Sequence, residues 1–398
     1  MTMIEATLET TDLVLIHYGE LALNGRNRHL FERQLMDNLK SRLRGYPGAK
    51  VRRHFGRLYV EFDPPAAWPL VRAALRQVFG LASFMPAVRV APHPEVIEAA
   101  VLKLLHGRDG QTFKIDTNRV DKNFPITSPE FNRRVGATVL KALPLKVDVH
   151  NPQALLRIEI MHDAAFLYCD ADQGRRGLPV GCTGKVLSLI SGGIDSPIST
   201  LRMLKRGCRV ALLHFHSAPY TDTASQHKAK EFADYLRDYQ RPIALYMVAL
   251  APIQQAVVQH CRSEFRVILY RRYMMRIAEA IAYQEKAKAL VTGDSLAQVA
   301  SQTLENIATI NASCALPILR PLLGMDKEEI IREAKDFGTF DLSIEDAQDC
   351  CSFLSTRHPA IKSRARDLER DEAILQEKAA VKTLMQQAID TAAYELYE

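Results

Sequence analysis

The sequence of 398 residues has few cysteines, a single tryptophan and no long apolar run. Its seven cysteines are an odd number scattered over the chain, which excludes the disulfide framework of a small secreted domain. No apolar stretch is long enough to span a bilayer, and the N-terminus lacks the basic flank and apolar core of a signal peptide. We therefore expect a cytoplasmic protein with no membrane association.

The composition is that of a globular protein, with 47% hydrophobic and 25% charged residues. The net charge of +6 is modest, but the basic residues are concentrated in two stretches. Such clusters favour a polyanionic partner, and the alternative is a solvated surface whose acids come from elsewhere in the fold. The first cluster contains Arg26, Arg28, Arg33, Lys40, Arg42, Arg44, Lys50, Arg52, Arg53 and Arg57, and the second Lys114, Arg119, Lys122, Arg133, Arg134, Lys141 and Lys146.

The hydrophobic pattern predicts three segments: residues 1–65, 66–172 and 173–398. The first two are expected to be small α+β domains, and glycines and prolines near residue 177 supply a linker. In the third, strands alternate with helices, which predicts a doubly wound parallel sheet of the α/β class. Its expected strands are 186–190, 210–215, 243–248 and 289–292, its helices 197–206, 223–239, 252–284 and 326–337, and the tail 361–398 is expected to be a charged amphipathic helix.

A glycine pair lies between the first of these strands and the following helix, in Ser191-Gly192-Gly193-Ile194-Asp195-Ser196. We expect Ser196 to cap the helix and Pro197 to be its first residue. Free N–H groups and the helix dipole make such a turn attractive to phosphate. The turn lacks the Lys-Ser/Thr ending of the common phosphate loop. His214-Phe215 and Gly293 also follow predicted strands, so three segments are expected to meet in one crevice.

Five stretches of the chain resemble one family, and they occur in the family's order. The glycine-rich turn is similar to the pyrophosphatase loop (PP-loop) of enzymes that split ATP into AMP and pyrophosphate. Together the stretches resemble the tRNA 4-thiouridine synthetases, also called tRNA sulfurtransferases. They are residues 18–28, 113–125, 189–197, 291–302 and 319–322.

This resemblance implies a ferredoxin-like domain, a THUMP RNA-binding domain and a PP-loop ATPase domain. Family members adenylate O4 of the uridine at position eight of tRNA and replace that oxygen with sulfur. The sulfur comes from a persulfide on a cysteine desulfurase, and many members also pass sulfur to a carrier protein of thiamine thiazole synthesis. Relatives are often homodimers. Some carry a C-terminal rhodanese-like domain, for which this sequence leaves no room.

The resemblance also implies the roles of individual residues. Asp195 and Lys327 would be catalytic, with Mg²⁺ sharing the charge of the phosphates. The ATP-binding residues would be Leu189, Ile190, Ser191, Gly192, Gly193, Ser196, His214, Phe215, Arg271, Gly293 and Gln302. We expect tRNA contacts from Lys114, Arg119, Lys122 and Arg133, made by shape and phosphate rather than by base sequence.

Cys350-Cys351 is the second chemical feature of the sequence. Adjacent cysteines form a strained ring when paired, and zinc is disfavoured because there is no C-x-x-C pair and His358 alone is weak support. In the resembling family this segment carries the sulfur-transfer cysteine, and Cys350 matches it best. A thiolate would be needed there. Cys351 is an ambiguous neighbour, and the other cysteines are expected to be packing residues, although a resolving partner is not excluded.

Two other functions remain open at this point. One is a different PP-loop enzyme, such as a 2-thiouridine or lysidine synthase or an amidotransferase that adenylates a small acid. The other is a tRNA-binding protein with a degenerate nucleotide site. The THUMP resemblance and the Cys350 segment disfavour a small acid, and the intact Ser-Gly-Gly-x-Asp-Ser disfavours the binding protein.

Overall fold

The structure is a computed structural model that describes residues 9–19, 28–54, 57–345, 354, 356 and 358–398. The chain divides into two compact units, Met1–Pro179 and Val180–Glu398. The division lies close to the expected limit at residue 172. Among the described residues, no helix combines the length and apolar character needed to cross a membrane.

Within its described residues, the first unit contains two sheets and four helices. Its elements are β1 (Thr10–Tyr18), α1 (Arg28–Arg42), β2 (Lys50–His54), β3 (Arg57–Ala67), α2 (Trp68–Leu75), β4 (Leu81–Pro86), β5 (Val88–Val90), α3 (Pro94–Leu105), β6 (Thr112–Arg119), α4 (Ser128–Ala142), β7 (Lys146–Val147), β8 (Ala154–Ile160), β9 (Ala165–Tyr168) and β10 (Asp172–Gln173). The first sheet is antiparallel with the order β10-β4-β1-β3-β2, and the second has the order β5-β9-β8-β6-β7.

Strands from beyond residue 65 complete the first sheet, because β4 hydrogen-bonds along β1 and β10 along β4. A proline pair often ends a strand, but β3 runs through Pro64-Pro65 and continues to Ala67. The domain limits at residues 65 and 172 stay predictions.

The two sheets of this unit share a buried cluster of apolar side chains. Leu13 and Leu15 of β1 pack with Phe166 of β9, while Val14 and Ile16 point to the opposite face, as a strand's period of two requires. Burial on both faces explains why β1 has an almost uninterrupted apolar centre.

A buried carboxylate joins the same two sheets. Glu159 of β8 accepts hydrogen bonds from Arg57 Nε at 2.8 Å and Tyr168 OH at 2.9 Å, and His17 Nε2 lies 3.0 Å away. Burial alone would raise the pKa of Glu159, but these partners lower it to about 2. The ionised form is therefore strongly favoured in the folded unit.

The second unit is built on one six-stranded sheet. Its elements are β11 (Lys185–Leu189), α5 (Asp195–Lys205), β12 (Arg209–His216), α6 (Ala224–Leu236), β13 (Ile243–Ala249), α7 (Ala251–His260), α8 (Arg266–Gln284), β14 (Leu290–Val291), α9 (Leu304–Asn311), β15 (Ile318–Leu319), α10 (Lys327–Phe337), α11 (Phe340–Ile344), α12 (Ala365–Ala379), α13 (Val381–Asp390) and β16 (Ala393–Tyr397). The strand order is β15-β14-β11-β12-β13-β16.

The first five strands of that order are parallel, which confirms the predicted α/β sheet. The sixth, β16, is antiparallel to β13 and corrects the expectation that the whole tail is helical. Its sequence Ala-Tyr-Glu-Leu-Tyr has the aromatic residues and the alternation that favour strands. The predicted helix 252–284 is interrupted at Cys261, whose backbone is extended with φ −116° and ψ 158°.

We predict that Glu159→Gln destabilises the first unit in a pH-dependent way. The folded pKa lies below the ordinary value of 4.5, so the carboxylate's contribution is complete above about pH 4.5 and is lost as the pH falls toward 2. The shift corresponds to about 3 kcal/mol at neutral pH. Urea unfolding at pH 7 and pH 3.5 should show a large difference from wild type at the higher pH and a smaller one at the lower.

Asp170→Asn is the matched control for this substitution. Asp170 also pairs with an arginine, Arg108, at 3.0 Å, but its side chain is 69% exposed. An exposed pair contributes at most about 1 kcal/mol. Equal destabilisation by the two substitutions, or a difference that does not shrink in acid, would contradict the role given to Glu159.

Candidate functional site

The glycine-rich turn joins the end of β11 to the start of α5, and Ser196 ties it together. The Ser191 N–H donates to Ser196 Oγ at 2.8 Å, and the two hydroxyl oxygens lie 3.0 Å apart. The sequence suggested that Ser196 caps the helix. In the structure α5 begins at Asp195, so Ser196 is its second residue and not its cap. Ile194 occupies the cap position and has no side chain that can accept a hydrogen bond. The first N–H groups of α5 are thus left without a side-chain cap.

The space above the turn is open at Gly193. A Cβ added there would meet only Ser191 Oγ, at 3.7 Å, which is an ordinary contact. Gly193 is exposed, so the described chain gives no steric reason for glycine at this position. An uncapped helix start below an open glycine turn is the arrangement that binds phosphate oxygens.

Gly293 packs directly against this helix start. A Cβ on Gly293 would lie 2.8 Å from the Ser196 nitrogen and 3.0 Å from the Asp195 carbonyl carbon. The residue before it, Thr292, accepts a hydrogen bond from Ser199 Oγ at 2.7 Å. The end of β14 therefore fixes the position of the first turn of α5. The prediction that β11 and β14 bring these segments together is confirmed.

Asp195 and Lys327 face each other across the same opening. Lys327 Nζ lies 2.6 Å from Asp195 Oδ1, and Gln298 Nε2 donates to Asp195 Oδ2 at 3.1 Å. Both charged side chains are partly exposed, at 20% for Asp195 and 43% for Lys327. Lys327 is also the first residue of α10, so two helix starts carry this pair. A cation and a carboxylate are thus held beside the open turn.

His214 lies at the end of β12 with its ring buried. Its Nδ1 is 2.9 Å from the Ile190 carbonyl oxygen, and its Nε2 is 3.3 Å from Ser225 Oγ. Burial lowers the pKa of His214 to about 4, against the smaller effect of the Ile190 carbonyl, so the ring is neutral at pH 7. Nδ1 therefore donates to Ile190, and Nε2 accepts from Ser225. Phe215 is a buried core residue, and ligand contacts at these two positions would fall to the backbone.

Asp294 is the centre of a buried network that sequence reasoning did not single out. Its carboxylate lies 2.6 Å from Arg271 Nη1 and 3.0 Å from Arg320 Nε, and it accepts from Thr292 Oγ1 at 2.8 Å and Gln302 Nε2 at 3.2 Å. Burial would raise the pKa of Asp294, but Arg271 and Arg320 hold it far below its usual range. The sequence signals are that Asp294 and Arg320 both follow short strands of the sheet and both lie in stretches that resemble the family, 291–302 and 319–322.

Cys350 and Cys351 lie outside the described residues. Side chains of two helices hydrogen-bond to described residues on either side of them. Lys228 of α6 is buried, and its Nζ donates to the carbonyls of Ser343 at 2.9 Å and Glu345 at 2.7 Å. On the other side, Tyr270 of α8 donates to the Leu354 carbonyl at 3.3 Å. The same two helices also carry Ser225 and Arg271, which belong to the crevice.

The described cysteines are poor nucleophiles. Burial raises the pKa of Cys169 and Cys182 to about 11 and that of Cys261 to about 12, and it raises the pKa of Cys314 as well. Cys208 is buried. The four thiols with raised pKa values stay protonated at neutral pH, as packing residues do.

The expected tRNA contacts lie in the second sheet of the first unit. Lys114 is half-buried, and its Nζ donates to the Val149 carbonyl at 3.1 Å, whereas Lys122 is exposed and donates to the Arg119 carbonyl at 2.9 Å. Arg119 is turned inward, with Nη1 donating to the Phe124 and Ile126 carbonyls at 3.0 Å each.

Arg133 of α4 is exposed, whereas its neighbour Arg134 binds Glu95 at 3.0 Å and Glu98 at 2.6 Å. Several arginines of the first basic cluster are also paired with acids. Arg28 and Arg53 bind the buried Glu32, and Arg57 binds Glu159. For part of the basic clusters, the acids therefore come from elsewhere in the fold, as the alternative interpretation predicted.

Comparison with known proteins agrees with this arrangement. The family model for the thiamine biosynthesis protein ThiI matches residues 181–376, that for the ThiI ferredoxin-like domain residues 13–85, and that for the THUMP domain residues 95–170. A probable tRNA sulfurtransferase of Brevibacillus brevis is 41% identical over 373 residues, 93% of each chain. One of Caldanaerobacter subterraneus is 44% identical over 363 residues, 91% of this chain and 95% of the relative.

Among solved structures, the chain is similar to a 4-thiouridine synthetase crystallised in complex with RNA and with bound ATP. The TM-score is 0.88 at 33% identity, over 98% of this chain and 100% of that one. The likeness therefore extends through both units and not only through the glycine-rich turn.

We predict that Gly293→Ala destabilises the second unit, because the new methyl group would lie within van der Waals radii of the α5 backbone. Overpacking of this kind costs about 1–3 kcal/mol. Gly324→Ala is the control, since a Cβ there meets no atom within 4 Å. Urea unfolding should show a loss for the first variant and little change for the second, and equal stability would show that Gly293 does not limit the approach of β14 to α5.

Proposed function

The chain belongs to the ThiI family, and we propose that this enzyme binds ATP and tRNA and makes 4-thiouridine. In this proposal it transfers AMP to O4 of the uridine at position eight and then replaces that oxygen with sulfur. The observation that carries the proposal is the uncapped start of α5 below the open turn at Gly193. That geometry suits the phosphates of a nucleotide.

The base and ribose of ATP would lie against the ends of β11 and β12. Leu189 and Ile190 end one strand, and His214 and Phe215 lie near the end of the next. The neutral His214 fixes the Ile190 carbonyl and so shapes the strand edge without adding charge. The phosphates would then extend over the turn toward the start of α5.

Asp195 and Lys327 would separate when the triphosphate binds. The lysine would move to the phosphate around which charge develops, and the carboxylate would be free for a cation. Mg²⁺ fits one carboxylate together with phosphate oxygens, because the described residues contain no cluster of three or more ligating side chains that could hold a metal by themselves. When bound, the ion would neutralise part of the phosphate charge.

The reaction follows from the poor leaving ability of a uracil oxygen. O4 attacks the α-phosphorus and pyrophosphate leaves, so the oxygen departs later as part of AMP. A sulfur nucleophile then attacks C4, and AMP is released. If the sulfur is the outer atom of a Cys350 persulfide, a second thiol must cleave the S–S bond, which yields 4-thiouridine and a disulfide.

Cys350 is proposed as the sulfur-carrying residue. The half-buried thiols of Cys169, Cys182 and Cys261 have raised pKa values, stay protonated and are unsuited to this role. The anchors Lys228 and Tyr270 tie both sides of the Cys350 segment to helices that carry crevice residues. A cysteine desulfurase would supply the persulfide, and a carrier protein of thiamine thiazole synthesis would be a second recipient of sulfur.

The first unit would bind tRNA through its THUMP domain. Lys122 and Arg133 are exposed beside the second sheet and Lys114 is half-buried on it, and their charges suit the phosphate backbone. Arg119 would contribute by shaping the loop that carries Lys122. A homodimer is part of this proposal by family resemblance.

We predict that Asp195→Asn and Cys350→Ser block different halves of the reaction. With unmodified tRNA, ATP and a persulfide donor, wild type should form AMP, pyrophosphate and 4-thiouridine. Asp195→Asn should lower formation of all three by at least about 100-fold, because it removes a charge beside the phosphates. Cys350→Ser should abolish 4-thiouridine while pyrophosphate release continues. Nucleoside mass spectrometry and a pyrophosphate assay measure the two steps.

Cys314→Ser is the matched control, since burial raises the pKa of that thiol and keeps it protonated. It should retain both activities. Full thiolation by Cys350→Ser would remove Cys350 from the mechanism. Release of ADP in place of AMP by wild type would overturn the adenylation step, and 2-thiouridine as product would identify a different acceptor atom.

For the first unit, we predict that Arg133→Ala weakens tRNA binding more than Arg134→Ala does. Arg133 is exposed, whereas Arg134 already binds two glutamates. Loss of one phosphate contact should also reduce the slope of log affinity against log salt by roughly 1. Filter binding at several salt concentrations tests this. An unchanged slope for Arg133→Ala, or a larger effect of Arg134→Ala, would exclude Arg133 as a contact.

A further inference from the structure

The buried network around Asp294 draws on three separate parts of the second unit. Arg271 lies in α8, Gln302 ends a 3-10 turn at Ala300–Gln302, and Arg320 directly follows β15. All three reach the same carboxylate, two through guanidinium groups and one through an amide. Asp294 itself is 4% exposed. The carboxylate therefore fixes three side chains that no common element would otherwise hold together.

The side chain of Arg320 lies deep in this network, with only 6% of it exposed. Its Nε donates to Asp294 at 3.0 Å, and its Nη1 donates to the Ile318 carbonyl at 3.4 Å. A buried guanidinium group favours an acceptor for each of its remaining N–H groups.

Two polar atoms of the network have no hydrogen-bond partner within the described part of the chain. Arg320 Nη2 is a buried donor, and Gln302 Oε1 is a buried acceptor. The side chain of Arg320 and the whole of Gln302 are each only 6% exposed. Buried polar groups are nearly always satisfied, so these two atoms indicate a ligand that brings both an acceptor and a donor.

The position of the network identifies the ligand. Asp294 directly follows Gly293, which packs against the start of α5, and Gln298 of the same segment binds Asp195. Arg320 follows β15, the strand next to β14. The network thus adjoins the turn assigned to phosphates, at the carboxyl ends of neighbouring parallel strands.

We propose that Arg320 is a further nucleotide-binding residue, whose Nη2 donates to a phosphate oxygen of ATP, and that Asp294 is the positioning residue that holds Arg320, Arg271 and Gln302 for this contact. The inference rests on the proposed function, which places the triphosphate at α5. Gln302 Oε1 accepts from a hydroxyl or amino group of the same nucleotide.

A purely structural ion-pair network is the opposing explanation, and Arg320→Gln separates the two. The substitution should weaken ATP and pyrophosphate binding by about 10- to 100-fold, as expected for a charge-assisted hydrogen bond. Binding of adenosine, which has no phosphate, should change less than about twofold. Isothermal titration calorimetry on the full chain without tRNA measures all three ligands.

Arg272→Gln is the matched control. Arg272 is 3% exposed and binds Glu372 through Nε at 2.7 Å and Nη2 at 3.0 Å, so its loss removes a similar buried ion pair. It should lower the melting temperature but leave the ratio of ATP to adenosine affinity unchanged. The proposal is overturned if Arg320→Gln behaves in the same way.

A double-mutant cycle tests the positioning role of Asp294. If Asp294 acts through Arg320, Asp294→Asn should weaken ATP binding, and the double variant with Arg320→Gln should be little worse than the more severe single variant. Additive losses in ATP affinity would contradict this. Asp371→Asn is the control, because Asp371 is a buried carboxylate that binds Arg262 at 2.9 Å.

These measurements fail separately from the thiolation assay. If wild type binds ATP but makes no 4-thiouridine, the proposed reaction is wrong while the role of Arg320 stays testable. If wild type makes 4-thiouridine and Arg320→Gln binds ATP normally, the further inference alone is wrong. Absence of ATP binding by wild type would overturn both.

Discussion

The site depends on the close packing of Gly293 against the first turn of α5. Because a side chain cannot fit between them, the ends of β11 and β14 and the helix start form one rigid edge. Ser196 turns its hydroxyl back to Ser191 instead of capping the helix, so the N–H groups stay available. A helix start left open is unfavourable in isolation and becomes useful when an anion binds there.

Charge is arranged around this edge in two layers that differ in exposure. Asp195 and Lys327 are partly exposed, and a single Nζ–Oδ1 contact joins them. Such a pair is suited to exchange partners when a ligand binds. Asp294 and Arg320 lie deeper, where charge-assisted hydrogen bonds are stronger and rearrangement is costly, and the half-buried Arg271 reaches Asp294 from the outer side. The outer pair is therefore suited to chemistry, and the inner network to fixed positioning.

Much of this arrangement could be predicted from the sequence, and the rest depended on contacts between distant residues. The strand β11 and the convergence of residues near 191, 214 and 293 followed from hydrophobic pattern and sheet topology. The prediction that Ser196 caps the helix was wrong. Its hydroxyl could bond either to N–H groups of the helix start or to Ser191, and residue propensity does not rank these two local partners. Asp294 and Arg320 are 26 residues apart, and only the neighbouring β14 and β15 bring them together.

The same limit applies to the basic residues of the first unit. Composition located the clusters, but Arg133 and Arg134 are adjacent in sequence and differ in what they face. Both are exposed, but Arg134 is held by Glu95 and Glu98 from α3. The acid that pairs with an arginine neutralises much of its charge, so the number of basic residues overestimates the charge available to RNA. Recognition by this unit therefore depends on which acids the fold brings to each cation.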